Sequence, residues 1–322
     1  MKYEIKSTFG YGNSQSLSAC KDFVYLNPST GEEIVFDFSK YKDNNPFGNL
    51  ILINSLRRYK NEHPDIRRTC IPKESDDYLE HIGFYQAIGV NHGKRPGEAH
   101  ANESYVPITE LDLKSEDFYG EIEKRAKELA ATLNFDSSLQ KMVTYILIET
   151  IRNAYEHSKT ENVLVAAQKW PKHNLVEIAI ADAGCGVVGS LGKLYAMENT
   201  ELLKWACQPG ITARSNFMLL DKDDPWRNSG YGLYIVKELC LAYNSGFTLC
   251  SGKKAIRYYD GHVYEYDTDY AGTAICIRFR TDTDNDFEAI RKKIVSEGEE
   301  KSKSIKEAIK KASKSSGGRY HI

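Results

Sequence analysis

A glycine-containing turn near the middle of the chain has the composition of a phosphate-binding site. The segment IAIADAGCGVVGSLGKLY, residues 178–195, contains an apolar run typical of a strand, then a turn and the start of a helical pattern. Its glycines, Gly184, Gly186 and Gly189, match the GxGxxG spacing with which a dinucleotide fold binds pyrophosphate at a helix N-terminus. Asp182 lies two residues before the first of them, where its carboxylate would repel a pyrophosphate. The turn alone therefore does not identify its ligand.

A second set of polar residues interrupts an otherwise apolar helical pattern. In LIETIRNAYEHS, residues 147–158, Glu149, Asn153 and His157 are four residues apart and therefore share one face of a helix. Polar groups on such a helix must face solvent or a ligand, because burying them without partners is costly. Taken alone, the pattern fits a solvent-exposed stripe as well as a binding site.

Two further glycine motifs follow toward the C-terminus. In RNSGYGLYIVKELC, residues 227–240, Gly230 and Gly232 precede apolar residues at helical spacing. Glycines at a helix N-terminus let a phosphate approach backbone N–H groups that have no partner within the helix. In AGTAICIRF, residues 271–279, Gly272 and Thr273 open a predicted strand.

These four motifs, in this order, resemble those of the GHKL ATPase superfamily, which includes DNA gyrase, mismatch-repair ATPases, sensor histidine kinases and anti-sigma-factor serine kinases. ETIRNAYEH is similar to the N box, DAGCG to the first glycine box DxGxG, GYG to the second glycine box, and GT to the threonine motif. The resemblance covers about residues 115–281, and the motif sequences are most similar to those of the anti-sigma-factor kinases. It implies an α/β sandwich in which helices cover a mixed, mostly antiparallel sheet and ATP binds between the helices and a mobile lid.

The resemblance implies a role for each residue of the N box. Glu149 corresponds to the general base that activates water or a substrate hydroxyl for attack on the γ-phosphate of ATP. Asn153 corresponds to the residue whose amide oxygen helps to hold Mg²⁺ against the phosphates, in keeping with the preference of Mg²⁺ for oxygen ligands. His157 occupies a position where the anti-sigma-factor kinases also have histidine. A nucleotide contact and a structural role at the helix end both remain open for it.

The other motifs supply the expected contacts to the base and the phosphates. Asp182 would accept a hydrogen bond from the exocyclic amino group of adenine, supported by Thr273. Four glycines would permit close approach of the nucleotide to the backbone: Gly184 and Gly186 near the base, and Gly230 and Gly232 near the phosphates. The lid would span about residues 188–229, with three candidate phosphate contacts, Thr212, Arg214 and Arg227.

The sequence argues against two other nucleotide-binding folds. A dinucleotide fold would continue into a second apolar strand that ends in an acidic residue about 20 residues on. The corresponding stretch here, YAMENTELLKWACQ at residues 195–208, has a helical pattern instead. The segment GSLGKL is not a Walker P-loop, because the GxxxxGK[ST] spacing is missing and leucine follows Lys193.

The chain divides into four predicted parts. Residues 1–90 alternate predicted strands and helices and resemble a STAS domain, which indicates a small α/β unit for docking or homodimer formation. Residues 91–114 are polar and rich in glycine and proline, and we interpret them as a linker. Residues 115–283 form the predicted ATP-binding domain, and residues 284–322 a charged helical tail that is partly disordered.

Composition restricts the class of protein. The 322 residues are 41% hydrophobic, enough for a globular core, and no apolar run approaches the roughly 18 residues of a membrane span. The N-terminus lacks the pattern of a signal peptide and the seven cysteines form no CxxC pair, so we expect a cytoplasmic protein with free thiols. A net charge of −2 makes a nucleic-acid partner an unfavourable hypothesis.

The motifs leave three hypotheses for function. About 40 residues follow the ATP-binding region, too few for the second domain of gyrase-like ATPases, and the helix EDFYGEIEKRAKELAATLNF lacks the phosphoacceptor histidine of sensor kinases. The anti-sigma-factor kinases phosphorylate STAS partners, but YKDNNPFGNL in the STAS-like part contains no serine or threonine. We therefore favour an ATP-hydrolysing switch that acts on a protein partner, such as an effector encoded nearby. The alternatives are a serine/threonine protein kinase and a nucleotide sensor without turnover.

Overall fold

The structure is a computed structural model that describes residues 1–5, 14–26, 32–41, 45–73, 77–112, 118–158, 160, 162–213, 229–283, 285–313 and 316. Within these residues the chain forms a three-stranded parallel sheet and a five-stranded antiparallel sheet, together with helices. The predicted α/β class is therefore confirmed at this level. None of the helices in the described ranges is long and apolar enough to cross a membrane.

The N-terminal unit, residues 1–90, alternates strands and helices as predicted. Its elements are β1 (Lys2–Glu4), α1 (Ser14–Phe23), β2 (Glu33–Asp37), α2 (Pro46–Glu62), β3 (Arg67–Ile71), α3 (Asp77–His81) and α4 (Phe84–Ala87). Helix α2 starts where the sequence provides a cap, because the Asn45 side chain accepts a hydrogen bond from the Gly48 N–H at 2.7 Å. The strands pair in the order β1-β2-β3.

The five-stranded sheet is built from residues between 105 and 280. Its strands are β4 (Tyr105–Asp112), β5 (Asn162–Trp170), β6 (Leu175–Asp182), β7 (Gly246–Tyr259) and β8 (His262–Arg280). They lie in the order β4-β5-β6-β8-β7, so the strand that ends in Asp182 occupies the centre of the sheet. The strand that carries Thr273 lies beside it.

Strand β4 lies inside the segment that we interpreted as a linker, residues 91–114. It pairs with β5 as an edge strand, and its register shifts between Val106 and Thr109. Pro107 occupies that shift, where a residue without an N–H interrupts the ladder at least cost. The polar, glycine-rich composition of residues 91–104 led us to predict a linker instead of a strand. In the structure Val106 and Ile108 of β4 are buried.

Helices cover one face of the five-stranded sheet and enclose the larger core. They are α5 (Phe118–Thr132), α6 (Ser137–Ser158), α7 (Gly186–Leu191), α8 (Asn199–Ala206), α9 (Gly232–Ala242) and α10 (Phe287–Lys303). Alternate residues of the central strands face this core, such as Ile178 and Ile180 of β6. The end of α7 and all of α8 lie within the predicted lid, residues 188–229, of which residues 214–228 are outside the described part.

The opposite face of the sheet is covered by the N-terminal unit. This face carries small side chains, among them Ala179 and Ala181 of β6 and Ala274 and Cys276 of β8, so that α2 can approach closely. Residues 46–56 of α2 are all buried, as expected for a helix that lies between two sheets. The N-terminal unit and the five-stranded sheet therefore share one hydrophobic core.

A buried carboxylate joins α2 to the sheet. Glu177 of β6 accepts a hydrogen bond from the Phe47 N–H in the first turn of α2 at 2.9 Å, and one from Nε of Arg278 at 2.5 Å. The first turn of α2 and the Arg278 guanidinium therefore meet at the same carboxyl group. Glu177 thus fixes where α2 meets the sheet.

The C-terminal segment, predicted as a charged helical tail that is partly disordered, contains α10 in the part that the structure describes. Asp286 caps α10 by accepting hydrogen bonds from the N–H groups of Glu288 and Ala289. The helix packs against α6 and α9. Its charged pattern concealed an apolar side, in which Phe287 and Ile294 are buried in the larger core. Residues 317–322 lie outside the described residues.

Candidate functional site

The four motifs meet in one cleft between the helices and the end of β6. The cleft is lined by Thr150, Asn153, Ala154, Ile180, Asp182, Gly186, Val187, Ser190, Leu191, Ala206, Ile211, Thr212, Ala213, Gly230, Gly232, Leu233, Thr273 and Ile275. Its enclosed interior is about 70 Å³, whereas the space between the walls is about 720 Å³ when the part open to solvent is included. Ligand pockets typically measure roughly 300–1,000 Å³, so a nucleotide would occupy the open part as well.

Asn153 of α6 lines the cleft, whereas Glu149 of the same helix is not among the lining residues. Glu149 is completely buried. Its Oε2 atom accepts a hydrogen bond from Nη2 of Arg152 at 2.7 Å, and Glu156 lies 3.7 Å from Nε of the same arginine. The predicted base is thus held in a buried ion pair at the edge of the cleft, a feature that the sequence motif did not indicate.

One atom of the Asn153 side-chain amide has no hydrogen-bond partner in the part of the chain that the structure describes. This atom, Nδ2, is buried. Such an atom is costly to bury unless a ligand or water satisfies it. Rotation of the amide would present its oxygen to the same space. The arrangement therefore fits a polar ligand near Asn153.

Asp182 is the last residue of β6 and lines the cleft together with Ile180 and Gly186. Its side chain is almost fully buried, and its Oδ1 accepts a hydrogen bond from the Gly184 N–H at 2.8 Å. Burial raises the pKa of Asp182 to about 7, although hydrogen bonds from Gly184 and Thr273 oppose that shift. No cation among the described residues contributes to this pKa, so the carboxyl group is only partly ionised near pH 7.

Two glycines beside Asp182 are required by the close approach of three segments. Gly186 has φ +67, and a Cβ there would lie 2.3 Å from the main-chain oxygen of Gly272. Gly272 has φ +104, and a Cβ there would lie 2.1 Å from the main-chain oxygen of Asp182. No other residue fits either position without displacing backbone. These glycines let the turn after β6 pack directly on β8.

The second glycine box brings the N-terminus of α9 to the cleft. Gly232 is the first residue of α9, and a Cβ at this position would lie 2.7 Å from Oε2 of Glu149 and 3.4 Å from Nδ2 of Asn153. The first N–H groups of an α-helix have no acceptor within the helix and favour an anion nearby. The Asn153 amide and this helix end thus border the same part of the cleft.

The remaining predicted residues are placed as follows. Gly184 does not line the cleft and acts on it through Asp182, whereas Thr212 lines it. The Oγ1 atom of Thr273 accepts a hydrogen bond from the Val187 N–H at 3.2 Å. Arg214 and Arg227 lie outside the described residues. His157 lies in α6, but its side chain is outside the described part, so its role stays open.

Several residues near the cleft carried no sequence signal. Ile309, in the segment after α10, donates its N–H to the main-chain oxygen of Gly210 at 2.9 Å and accepts a hydrogen bond from the Tyr231 hydroxyl. The Gly210 N–H in turn donates to Gly230. The C-terminal segment therefore supports the wall formed by residues 211–213. These are main-chain contacts between distant segments, which no local pattern predicts.

Comparison with known proteins identifies no family to which the chain can be assigned. No protein-family model matches the chain, and no curated protein matches it. The interpretation of the cleft therefore depends on its own residues and geometry.

The titration of Asp182 predicts how the affinity for a ligand that donates a hydrogen bond to it depends on pH. Below a pKa of about 7 the carboxyl group is neutral, and above it the ionised group accepts a stronger, charge-assisted hydrogen bond. If ATP binds with its exocyclic amino group at this carboxylate, we expect its affinity to increase up to about tenfold from about pH 6 to about pH 8, with release of a proton on binding. Calorimetry in buffers of different ionisation enthalpy would measure that proton.

Asp182→Asn is the control for this pH dependence, because it removes the titrating group and leaves only protons that belong to the phosphates of ATP. The raised pKa of Asp182 also makes the stability of the ligand-free protein depend on pH, in the direction opposite to that of the affinity. The contribution of Asp182 to folding is fully present below its ordinary pKa of 3.8 and decreases as the pH rises through about 7. If the affinity of Asp182→Asn depended on pH as steeply as that of the wild type, Asp182 would not be the titrating group.

Proposed function

We propose that the chain binds Mg²⁺-ATP in this cleft in the manner of the GHKL ATPases and acts as a slowly hydrolysing, nucleotide-dependent switch on a protein partner. The observation that carries the proposal is the convergence of residues from four separate motifs on one cleft, namely Asn153, Asp182, Gly186, Gly230, Gly232 and Thr273. Their types match the parts of a nucleotide: an acceptor for the base, and an amide and a helix N-terminus for phosphates.

Two groups of lining residues support an orientation for ATP. Ile180 and Ile275, which pair across β6 and β8, line the cleft with Asp182, and apolar walls with a single acceptor suit adenine. Asn153 and the N-terminus of α9 lie close to each other and suit the phosphates. Because the exocyclic group of guanine at the corresponding position is a carbonyl, Asp182 would discriminate against GTP.

The donor set fits Mg²⁺ bound together with the nucleotide. No group of three or more His, Cys, Asp or Glu side chains in the described residues could hold a metal by itself. Mg²⁺ usually binds through one or two protein oxygens, with phosphate and water oxygens completing the octahedron. Asn153, whose amide nitrogen has no partner among the described residues, would supply that oxygen after rotation of the amide. The ion would neutralise charge on the phosphates.

The buried ion pair of Glu149 supports slow turnover. Glu149 is buried and does not line the cleft, so an attacking water can reach it only through a local rearrangement. Because Glu149 is held in a buried ion pair with Arg152, the rearranged state would be a minor one. This suits a switch, in which the nucleotide state persists, better than a rapid hydrolase. Transfer of the γ-phosphate to a serine or threonine of a partner is the alternative.

Calorimetry with purified protein tests the nucleotide. We expect ATP to bind with Mg²⁺ present and GTP to bind roughly tenfold or more weakly, since an unpaired buried acceptor costs about 1–3 kcal/mol. Chelation of Mg²⁺ should weaken ATP binding in the wild type and have less effect in Asn153→Leu, which lacks the amide. Absence of ATP binding at millimolar nucleotide and Mg²⁺ would refute the proposal.

Incubation with γ-labelled ATP distinguishes the switch from the kinase. The wild-type protein is mixed with the products of neighbouring genes, and the label is followed. Label that appears only as free phosphate supports the switch, because hydrolysis needs only a positioned water. Stoichiometric label on a serine or threonine of any of these proteins favours the kinase.

A further inference from the structure

A chain of hydrogen bonds connects the N-terminal unit to Asp182 through the interior of the protein. Nδ2 of Asn54, on α2, donates to the Tyr270 hydroxyl at 2.8 Å. The Tyr270 hydroxyl donates to the main-chain oxygen of Asp182 at 2.9 Å. All three side chains are buried, so water does not compete for these bonds.

The Tyr270 hydroxyl bonds to β6 at the point where its ladder with β8 ends. The pairing of β6 with β8 ends at Ala181 and Ala274, one residue before Asp182. Beyond that point β8 continues through Gly272, whose φ is +104 and which lies close to the main-chain oxygen of Asp182. The main-chain oxygen of Asp182 receives a side-chain hydroxyl at this point, where the ladder with β8 has already ended. Since buried carbonyl oxygens are nearly always paired, loss of this hydroxyl would let the end of β6 shift.

The backbone at Asp182 determines where its carboxylate lies. Oδ1 is held by the Gly184 N–H, and hydrogen bonds from Thr273 reach the same carboxylate. These donors orient the side chain, whereas Tyr270 holds the main chain that carries it. A small displacement is enough to weaken a hydrogen bond to a ligand, because these bonds weaken steeply with distance and angle.

We propose that Tyr270 and Asn54 are positioning residues that set the Asp182 carboxylate for the exocyclic amino group of adenine, so that the N-terminal unit contributes to nucleotide selectivity. This inference rests on the proposed function, since it requires that ATP binds with its base at Asp182. It also gives α2 a role beyond covering the sheet. The nucleotide site and the N-terminal unit are coupled at Asn54, which is 216 positions from Tyr270 in the sequence.

The test compares ATP with the triphosphate of purine riboside, which lacks the exocyclic amino group. Calorimetry gives the ratio of the two dissociation constants for each protein. In Tyr270→Phe we expect ATP affinity to decrease roughly 3- to 10-fold, with little change for the analogue, so that the ratio decreases by the same factor. Asn54→Ala should act in the same direction. The double variant should be no worse than Tyr270→Phe alone, because Asn54 acts through Tyr270.

Tyr41→Phe is the matched control. Its buried hydroxyl donates to Oδ1 of Asn49 at 3.0 Å, another asparagine of α2, and has no contact with the cleft. This variant should lose a similar amount of stability and keep the wild-type ratio. An unchanged ratio in Tyr270→Phe, or an equal loss for both nucleotides, would overturn the positioning role while leaving ATP binding intact. A wild-type protein that binds neither nucleotide, or both equally, would overturn the assignment of Asp182 and this inference with it.

Discussion

Glu149→Gln is expected to retain ATP binding and to reduce hydrolysis about 10²-fold or more, because it removes the proposed general base. Glutamine has the same shape and can still accept a hydrogen bond from Arg152, which lies 2.7 Å from the carboxylate. Alanine would leave Arg152 in a buried site with one carboxylate partner fewer, which mixes loss of stability with loss of chemistry. Single-turnover hydrolysis and calorimetry on the same preparation separate the two effects.

Glu156→Gln is the control for this prediction. Glu156 lies 3.7 Å from Nε of Arg152, so the substitution changes the charge around the same arginine without altering Glu149. We expect it to keep hydrolysis within a few-fold of wild type. If Glu149→Gln hydrolysed ATP at the wild-type rate, Glu149 would not be the base. If both variants lost turnover equally, the arginine network rather than the base would be responsible.

Glu177→Ala is expected to destabilise the protein by about 3–5 kcal/mol, because it leaves the buried Arg278 without its carboxylate. The substitution also removes the acceptor for the first turn of α2, at the Phe47 N–H. Both losses occur where the N-terminal unit meets the sheet. Chemical denaturation monitored by circular dichroism would measure the change in the free energy of unfolding.

Two further variants show whether the unpaired charge causes the loss. Glu177→Ala combined with Arg278→Met removes both charges and should be less destabilised than Glu177→Ala alone, since no buried guanidinium remains at this contact. Asp282→Ala breaks an exposed ion pair with Arg280 near the end of β8 and should have a much smaller effect. A double variant no more stable than Glu177→Ala would show that packing, and not charge, dominates at this contact.

Local patterns predicted most helices and strands. The helical spacing within residues 45–60 became α2, the apolar run ending in Asp182 became β6, and the pattern from 137 to 158 became α6. Local patterns did not predict two features, strand β4 and the buried side of α10. β4 has polar neighbours and contains a proline, and α10 carries many charged residues. Both elements bury only part of their surface, which makes their apolar pattern weak.

The sequence by itself determined which polar residues share a helix face and which glycines precede a helix, because these properties follow from spacing within one element. The meeting of Asn153, Asp182 and Gly232 at one cleft was an inference from resemblance, and the tertiary structure brings them together. The structure alone decided that Glu149 is paired with Arg152, that α2 lies between two sheets, and that Tyr270 bonds to Asp182. These contacts join segments through packing and side-chain rotamers, and the period of a single helix or strand carries no information about either.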